Sequence, residues 1–257
     1  MTELLTGRRI LVTGVLTDRS LAWSAARLLE SHGAELLLTG HKRALRLTRR
    51  AADELPGQPD VLELDVLEDG DYGSLHDEVQ RRWGRVDGIV HAIAGAPAEV
   101  WETDFLSVPR TGIDSALTVS ALSLASLVGA MLPLLERSPS PTVACITTTP
   151  ERHSVDYGWM SVVKATLNAL TRQLAVELGP RGVRLNAVAC GPVATVAGTG
   201  IPGFANSAAA YAERAPLGWD AKNVAAAAGA LCFLMSDLSR CMTGAVLDVD
   251  GGMHAAL

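Results

Sequence analysis

Residues 9–39 read RILVTGVLTDRSLAWSAARLLESHGAELLLT. Arg9–Thr13 is a short apolar run ending at Gly14, the form of a strand buried on both faces of a parallel sheet. After the turn Gly14–Ser20 comes the helical pattern LAWSAARLLESHG, and Ala34–Thr39 is a second buried strand. A strand, a glycine turn and a helix N-terminus leave free backbone N–H groups facing outward, which suits an anionic phosphate. Only Gly14 occupies the turn, so the usual G-x-G-x-x-G is absent. Ser20 is placed to cap the helix and to donate to a pyrophosphate.

Outward from this unit the alternation continues. Strands are expected at 60–65, 87–91, 142–148, 183–189 and 245–249, with helices at 42–55, 71–83, 115–135, 157–178 and 221–235. This predicts a three-layer α/β/α Rossmann fold with a doubly wound, mostly seven-stranded parallel sheet, in one domain over 1–257. Residues 101–114 read as irregular. The stretch 196–214, with glycines at 198, 200 and 203, reads as a loop-rich lid over a substrate site.

Composition narrows the function. The 257 residues are 48% hydrophobic with a net charge of -6, which gives no general reason to bind nucleic acid or an anionic membrane. No stretch reaches ~18 uninterrupted apolar residues, so no membrane span is expected, and the N-terminus lacks a signal-peptide plan. The expected compartment is the cytoplasm. Cys145, Cys190, Cys232 and Cys241 have neither metal nor redox spacing and read as small core residues; the scattered histidines predict no metal site.

Two places carry chemistry. At the end of the second strand, where an acid would bind a ribose 2′-hydroxyl, stand Gly40-His41-Lys42-Arg43, and cations there suit a 2′-phosphate. In DYGWMSVVK, Asp156–Lys164, Tyr157 and Lys164 are seven apart and lie within roughly 20° on one helix face. The ammonium is expected to ease phenolate character on Tyr157 and to bind a nucleotide sugar, while the hydroxyl serves an oxygen gaining charge during a reduction.

The chain resembles the short-chain dehydrogenase/reductase superfamily and, within it, the divergent branch of enoyl-[acyl-carrier-protein] reductases of type II fatty-acid synthesis. The resemblance rests on GVLTDRSLAW at 14–23, LDV at 64–66, DGIVHAIAGAP at 87–97, the Y-x6-K of Tyr157 and Lys164, GVRLNAVACGPVATVAG at 182–198, APLGW at 215–219 and DVDGG at 248–252. It implies NADPH or NADH as cofactor and an acyl thioester on acyl carrier protein as substrate, reduced at its C=C bond by a homotetramer. Gly14, Ser20 and Leu21 would hold the pyrophosphate, with His41 and Lys42 near the adenosine ribose. Asp65 and Val66 would meet the adenine, and Ile93, Ala94 and Lys164 the nicotinamide ribose. Val193 and Thr195 would fix the carboxamide and a phosphate, and Tyr157 would hydrogen-bond the thioester oxygen.

Ala96, Thr147, Phe204 and Tyr211 are the expected substrate contacts, and the short lid predicts a short or medium acyl chain. Two departures fall on the pocket over the nicotinamide. The family's second aromatic, nine or ten residues before Tyr157, is Thr148 or Thr147, and a serine after the fourth strand is Ala92. Thr148 therefore keeps a second chemistry open: a carbonyl or imine reductase in which its hydroxyl joins Tyr157 and Lys164. A non-catalytic nucleotide-binding protein is the third reading, and retention of both Tyr157 and Lys164 argues against it.

Overall fold

In a computed structural model the chain is described over residues 3–149 and 157–256. Seven strands, β1 (Arg9–Val12), β2 (Glu35–Gly40), β3 (Val61–Glu63), β4 (Gly88–His91), β5 (Thr142–Thr147), β6 (Arg184–Cys190) and β7 (Val246–Val249), form one sheet in the order β3-β2-β1-β4-β5-β6-β7. Every pairing is parallel. The order reverses between β1 and β4, the topological switch point of a doubly wound sheet.

The strands are apolar throughout because both faces are covered. Leu11, Ile89, Val143, Cys145 and Leu185 face one core with residues of α3 (Asp69–Arg82), α6 (Ser123–Leu135) and α7 (Gly158–Leu178). Ile10, Val12, Val90, Ala144 and Val188 face the other, with α1 (Leu21–Ser31) and α10 (Ala225–Met235). The alternation of neighbours in each strand is the period of two that a pleated strand imposes. Truncating a fully buried leucine such as Leu127 to alanine costs about 2–5 kcal/mol in such a core.

The remaining helices among the described residues are α2 (Leu45–Asp53), α4 (Glu99–Glu102), α5 (Arg110–Leu117), α8 (Val196–Thr199) and α9 (Phe204–Arg214). Two regions differ from the sequence reading. Residues 101–114 are not irregular: α4 ends in them, and α5 starts at Arg110 behind the Pro109 N-cap. A π-type turn, Thr118–Leu122, joins α5 to α6, so 110–135 is one long helix. That helix is long and apolar enough to cross a bilayer, but Leu124, Leu127, Met131 and Leu134 lie within the core, so it packs as an interior helix. The stretch 196–214 is mostly helical rather than loop, because the three glycines confine the breaks to its first half and FANSAAAYAER propagates a helix.

Candidate active site

The site is assembled at the carboxyl ends of the strands. Gly14 follows β1 at φ +82°, and a Cβ there would lie 2.1 Å from the Ala92 carbonyl oxygen. The turns after β1 and β4 thus cross at a distance that only glycine allows. Thr13 fastens the crossing: its hydroxyl donates to the Val90 carbonyl (3.2 Å) and accepts from the Ala92 amide (3.2 Å). Ser20 stands at the N-cap of α1, but its hydroxyl does not cap that helix. It accepts from the amides of Leu16 (3.1 Å) and Thr17 (3.0 Å), holding the turn closed. Its proton remains available to an anion, and buried Leu21 opens α1 behind it.

Two residues expected at the adenosine end meet directly. His41 Nε2 lies 2.9 Å from Asp65 Oδ2, while His41 Nδ1 accepts from the Arg43 amide (3.1 Å). Asp65 Oδ1 accepts from the Leu67 amide, and Tyr72 anchors Val66 by donating to its carbonyl (3.1 Å). Lys42 is largely exposed, its Nζ 4.0 Å from Glu63. After β4, Ile93 is half-buried and Ala94 exposed. The π-type turn presents Ser120, whose hydroxyl accepts from the Gly95 amide and donates to the Gly95 carbonyl, both at 2.9 Å. Ala96, the residue after the clamped Gly95, is half-buried against the core.

Tyr157 lies at the N-cap of α7, and Lys164 lies two turns along the same face. The Tyr157 hydroxyl makes no hydrogen bond among the described residues. Burial pushes the phenol well above its ordinary range, with the neighbouring Cys190 adding to the rise. Lys164, expected to ease phenolate character, is engaged elsewhere in this structure. The ammonium is turned to the Ile146 carbonyl (Nζ–O 2.9 Å), and its own pKa is pushed down by burial. Tyr157 is therefore a neutral hydrogen-bond donor.

The strand register explains where Lys164 goes. The β4–β5 ladder ends at His91↔Cys145, while β5–β6 continues to Thr147↔Ala189. Beyond Cys145, the carbonyls of Ile146 and Thr148 on the β4 side have no strand to accept from, and α7 replaces it. Lys164 takes the first, and Asn168 Nδ2 takes the second at 3.1 Å. Thr147, expected at the substrate, is instead buried under α7 on the same strand face as Cys145, whose Sγ lies 3.4 Å from Thr171 Oγ1. Thr148 lies just past the end of β5 and is half-buried. The loop leading into Tyr157, including Asp156, lies outside the described residues.

On the far side of the site, Thr195 caps α8 by accepting from the Gly198 amide (3.0 Å). A Cβ on Gly198 would stand 2.2 Å from the Val193 carbonyl oxygen, so the 193–198 turn is as tight as the one at Gly14. Phe204 and Tyr211 sit seven apart on one face of α9. Tyr211 meets the Trp219 ring edge-on at 6.2 Å, and Trp219 donates to the Pro192 carbonyl (2.8 Å), which ties α9 to the end of β6.

Three residues that the sequence reading left aside join this site. Trp101, on α4, tilts its ring against Tyr157 at 5.9 Å and 56°. It supplies from another element the second aromatic that Thr147 and Thr148 lack. Cys190 is half-buried beside the Tyr157–Lys164 pair rather than a core residue; burial raises its thiol to about 11, so it is protonated. Cys241 is exposed rather than a core residue, whereas Cys145 and Cys232 are buried as expected. His91, the last residue of β4, is fully buried within electrostatic reach of Lys164. Its only signal in the sequence was a polar residue closing an apolar strand. Asp248, Asp250 and His254 bring ligand-type atoms within 4.8 Å, but Asp248 accepts from the Thr149 hydroxyl and Asp250 is engaged by the amides of Gly252 and His254 and by the His254 ring.

A neutral phenol and a lysine set over the open ends of a doubly wound sheet are what hydride addition to a polarised double bond requires, and they define the short-chain class of oxidoreductases. A sequence model of the Enoyl-(Acyl carrier protein) reductase family matches residues 14–254. The enoyl-[acyl-carrier-protein] reductase [NADH] of Mycolicibacterium smegmatis is 38% identical over the full length of both chains. That of Mycobacterium avium is 36% identical over the same extent, and that of Escherichia coli is 33% identical over 98% of this chain and 96% of its own. The chain belongs to the enoyl-[acyl-carrier-protein] reductase family.

Proposed function

We propose that the chain reduces the C=C bond of an enoyl thioester carried on acyl carrier protein, with NADH as reductant. The observation that carries this reading is Tyr157: a neutral hydroxyl, without a hydrogen bond among the described residues, held on the face of α7 that also bears Lys164. The tight Gly14–Ala92 crossing and the Gly198 turn leave backbone at the strand ends that a dinucleotide can lie against. Gly14, Ser20 and Leu21 hold its pyrophosphate, Asp65 and Val66 its adenine, Ile93, Ala94 and Lys164 the nicotinamide ribose, and Val193 and Thr195 the carboxamide side. NADH is favoured over NADPH because His41 is spent on Asp65 and Lys42 faces Glu63, which leaves acids beside the ribose position. The relatives' names agree with that choice.

Bound there, the nicotinamide supplies hydride to the β-carbon of the conjugated double bond. Tyr157 donates a hydrogen bond to the thioester oxygen as it gains charge, an oxyanion-hole role. Lys164 orients the ribose. Trp101, Ala96, Phe204 and Tyr211 wall the acyl side, and the two aromatic walls favour short or medium chains. Residues 196–214 act as the lid of a single domain, and the working form is a cytoplasmic homotetramer. Crotonyl and acetoacetyl thioesters separate the chemistries. NADH oxidation with the first and not the second supports the proposal; oxidation with the second alone, giving a new hydroxyl by mass spectrometry, overturns it in favour of carbonyl reduction.

A further inference from the structure

Among the described residues, five buried side-chain atoms lack a hydrogen-bond partner: Glu30 Oε2, His91 Nδ1, Thr147 Oγ1, Ser161 Oγ and Asn168 Oδ1. The last four belong to elements gathered around Lys164. Ser161 and Asn168 stand three residues before it and four after it on α7. Thr147 follows Ile146, whose carbonyl accepts from Lys164 Nζ, and His91 lies within reach of the ammonium's field. Buried polar atoms are costly unless something answers them, and four of the five fall on residues next to Lys164 in its helix, beside its acceptor strand or within its field.

The hydrogen bonds fix which proton His91 carries. Ser123 has one hydroxyl proton, and it goes to the Val119 carbonyl at 2.7 Å, a group that only accepts. The 2.9 Å contact between Ser123 Oγ and His91 Nε2 must then be N–H donating to oxygen. Burial keeps the ring neutral, with its pKa lowered to about 3. Nδ1 is left as a bare lone pair, which only a donor can satisfy. Lys164 carries three N–H donors, and the Ile146 carbonyl takes one. The ionisable groups facing it are Tyr157 on its own helix, His91 on β4, Cys145 on β5 and Cys190 on β6. No carboxylate pairs with it among the described residues; the partner it has there, the Ile146 carbonyl, is neutral.

We propose that His91 is a positioning residue for Lys164: a buried water, shared with Thr147 Oγ1 and Asn168 Oδ1, accepts from the ammonium and donates to His91 Nδ1, and so holds Lys164, charged, beneath the cofactor site. Ser123 sets the tautomer that makes this possible, and the π-type turn before Ser123 sets Ser123. The consequence for cofactor binding rests on the role proposed above for Lys164.

The test is NADH affinity by fluorescence titration from about pH 6 to about pH 10, on the intact protein, with thermal melts to check folding. Removing an acceptor from a buried ammonium lowers its pKa, so binding fails at lower pH. His91→Leu is expected to move the alkaline midpoint of binding downward and to weaken NADH about ten-fold on the alkaline side. His91→Gln, whose amide oxygen can accept, restores the parental midpoint. Ser123→Ala releases the tautomer and moves the midpoint the same way by less, which keeps the test open if His91→Leu does not fold. A folded His91→Leu or Ser123→Ala protein with the parental midpoint overturns the proposal. Ring 15N shifts address the contact without cofactor: the Nδ1 resonance is expected to move toward the unbonded value in Lys164→Met, and an unmoved resonance also overturns it. If the shift moves but Lys164→Met binds NADH like the parent, the contact stands and the cofactor role of Lys164 falls.

Discussion

In the proposed reaction Tyr157 and Lys164 divide the work, and the division is measurable. A phenol raised by burial acts through its proton, so Tyr157→Phe should lower kcat about 10²–10³-fold, the scale of a lost oxyanion donor, and leave NADH affinity near the parent's. Lys164→Ala should weaken NADH itself in a fluorescence titration. Thr148→Val should cost little, because the strand end offers Thr148's carbonyl to Asn168 and no bond from its hydroxyl to Tyr157 is seen. A loss near 10²-fold would revive carbonyl chemistry. Trp101 packs on Tyr157 where longer acyl groups would pass, so Trp101→Ala should raise kcat/KM for longer chains by about four-fold per newly buried methylene, ~0.8 kcal/mol each, measured along a series of enoyl thioesters. The Tyr–Lys pair was legible in the sequence because helix periodicity alone aligns the two. Trp101 was not, because its contact spans 56 positions (157 − 101) and no local pattern encodes it.

At the scale of elements, two devices hold the site. The first is the crossing of the β1 and β4 turns. Gly14→Ala must resolve both a positive φ and a 2.1 Å approach to the Ala92 carbonyl. It should destabilise the fold by roughly 1–3 kcal/mol or more and weaken NADH, read by denaturant melts and titration. The second is the π-type turn within the 110–135 helix, which brings Ser120 to Gly95 and Ser123 to His91. The strands could be read from composition because burial on both faces leaves continuous apolar runs. The π-type turn could not, since its sequence, Thr-Val-Ser-Ala-Leu, is ordinary for an α-helix and the widening answers contacts made far along the chain. Helix α9 escaped for a different reason: none of its residues is buried, so it has no core face to read.

For the whole molecule, the burial of His91 ties stability to acid. The ring is held at about 3 in the fold against about 6.5 in the unfolded chain, so the unfolded state binds a proton first as pH falls. The contribution is complete above about pH 6.5 and is lost progressively down to about pH 3, worth on the order of 3–5 kcal/mol. Urea midpoints across that window should fall less steeply for His91→Gln than for the parent. The proposed reacting centre lies at the strand ends, between the turn after β4 and the face of α7. The most direct test of that account is the fate of the hydride. With NADH deuterated at the transferable position and a crotonyl thioester, the product should be a saturated butyryl thioester carrying one deuterium on its β-carbon. Deuterium on a carbon bearing a new hydroxyl, or a product without deuterium, would contradict it.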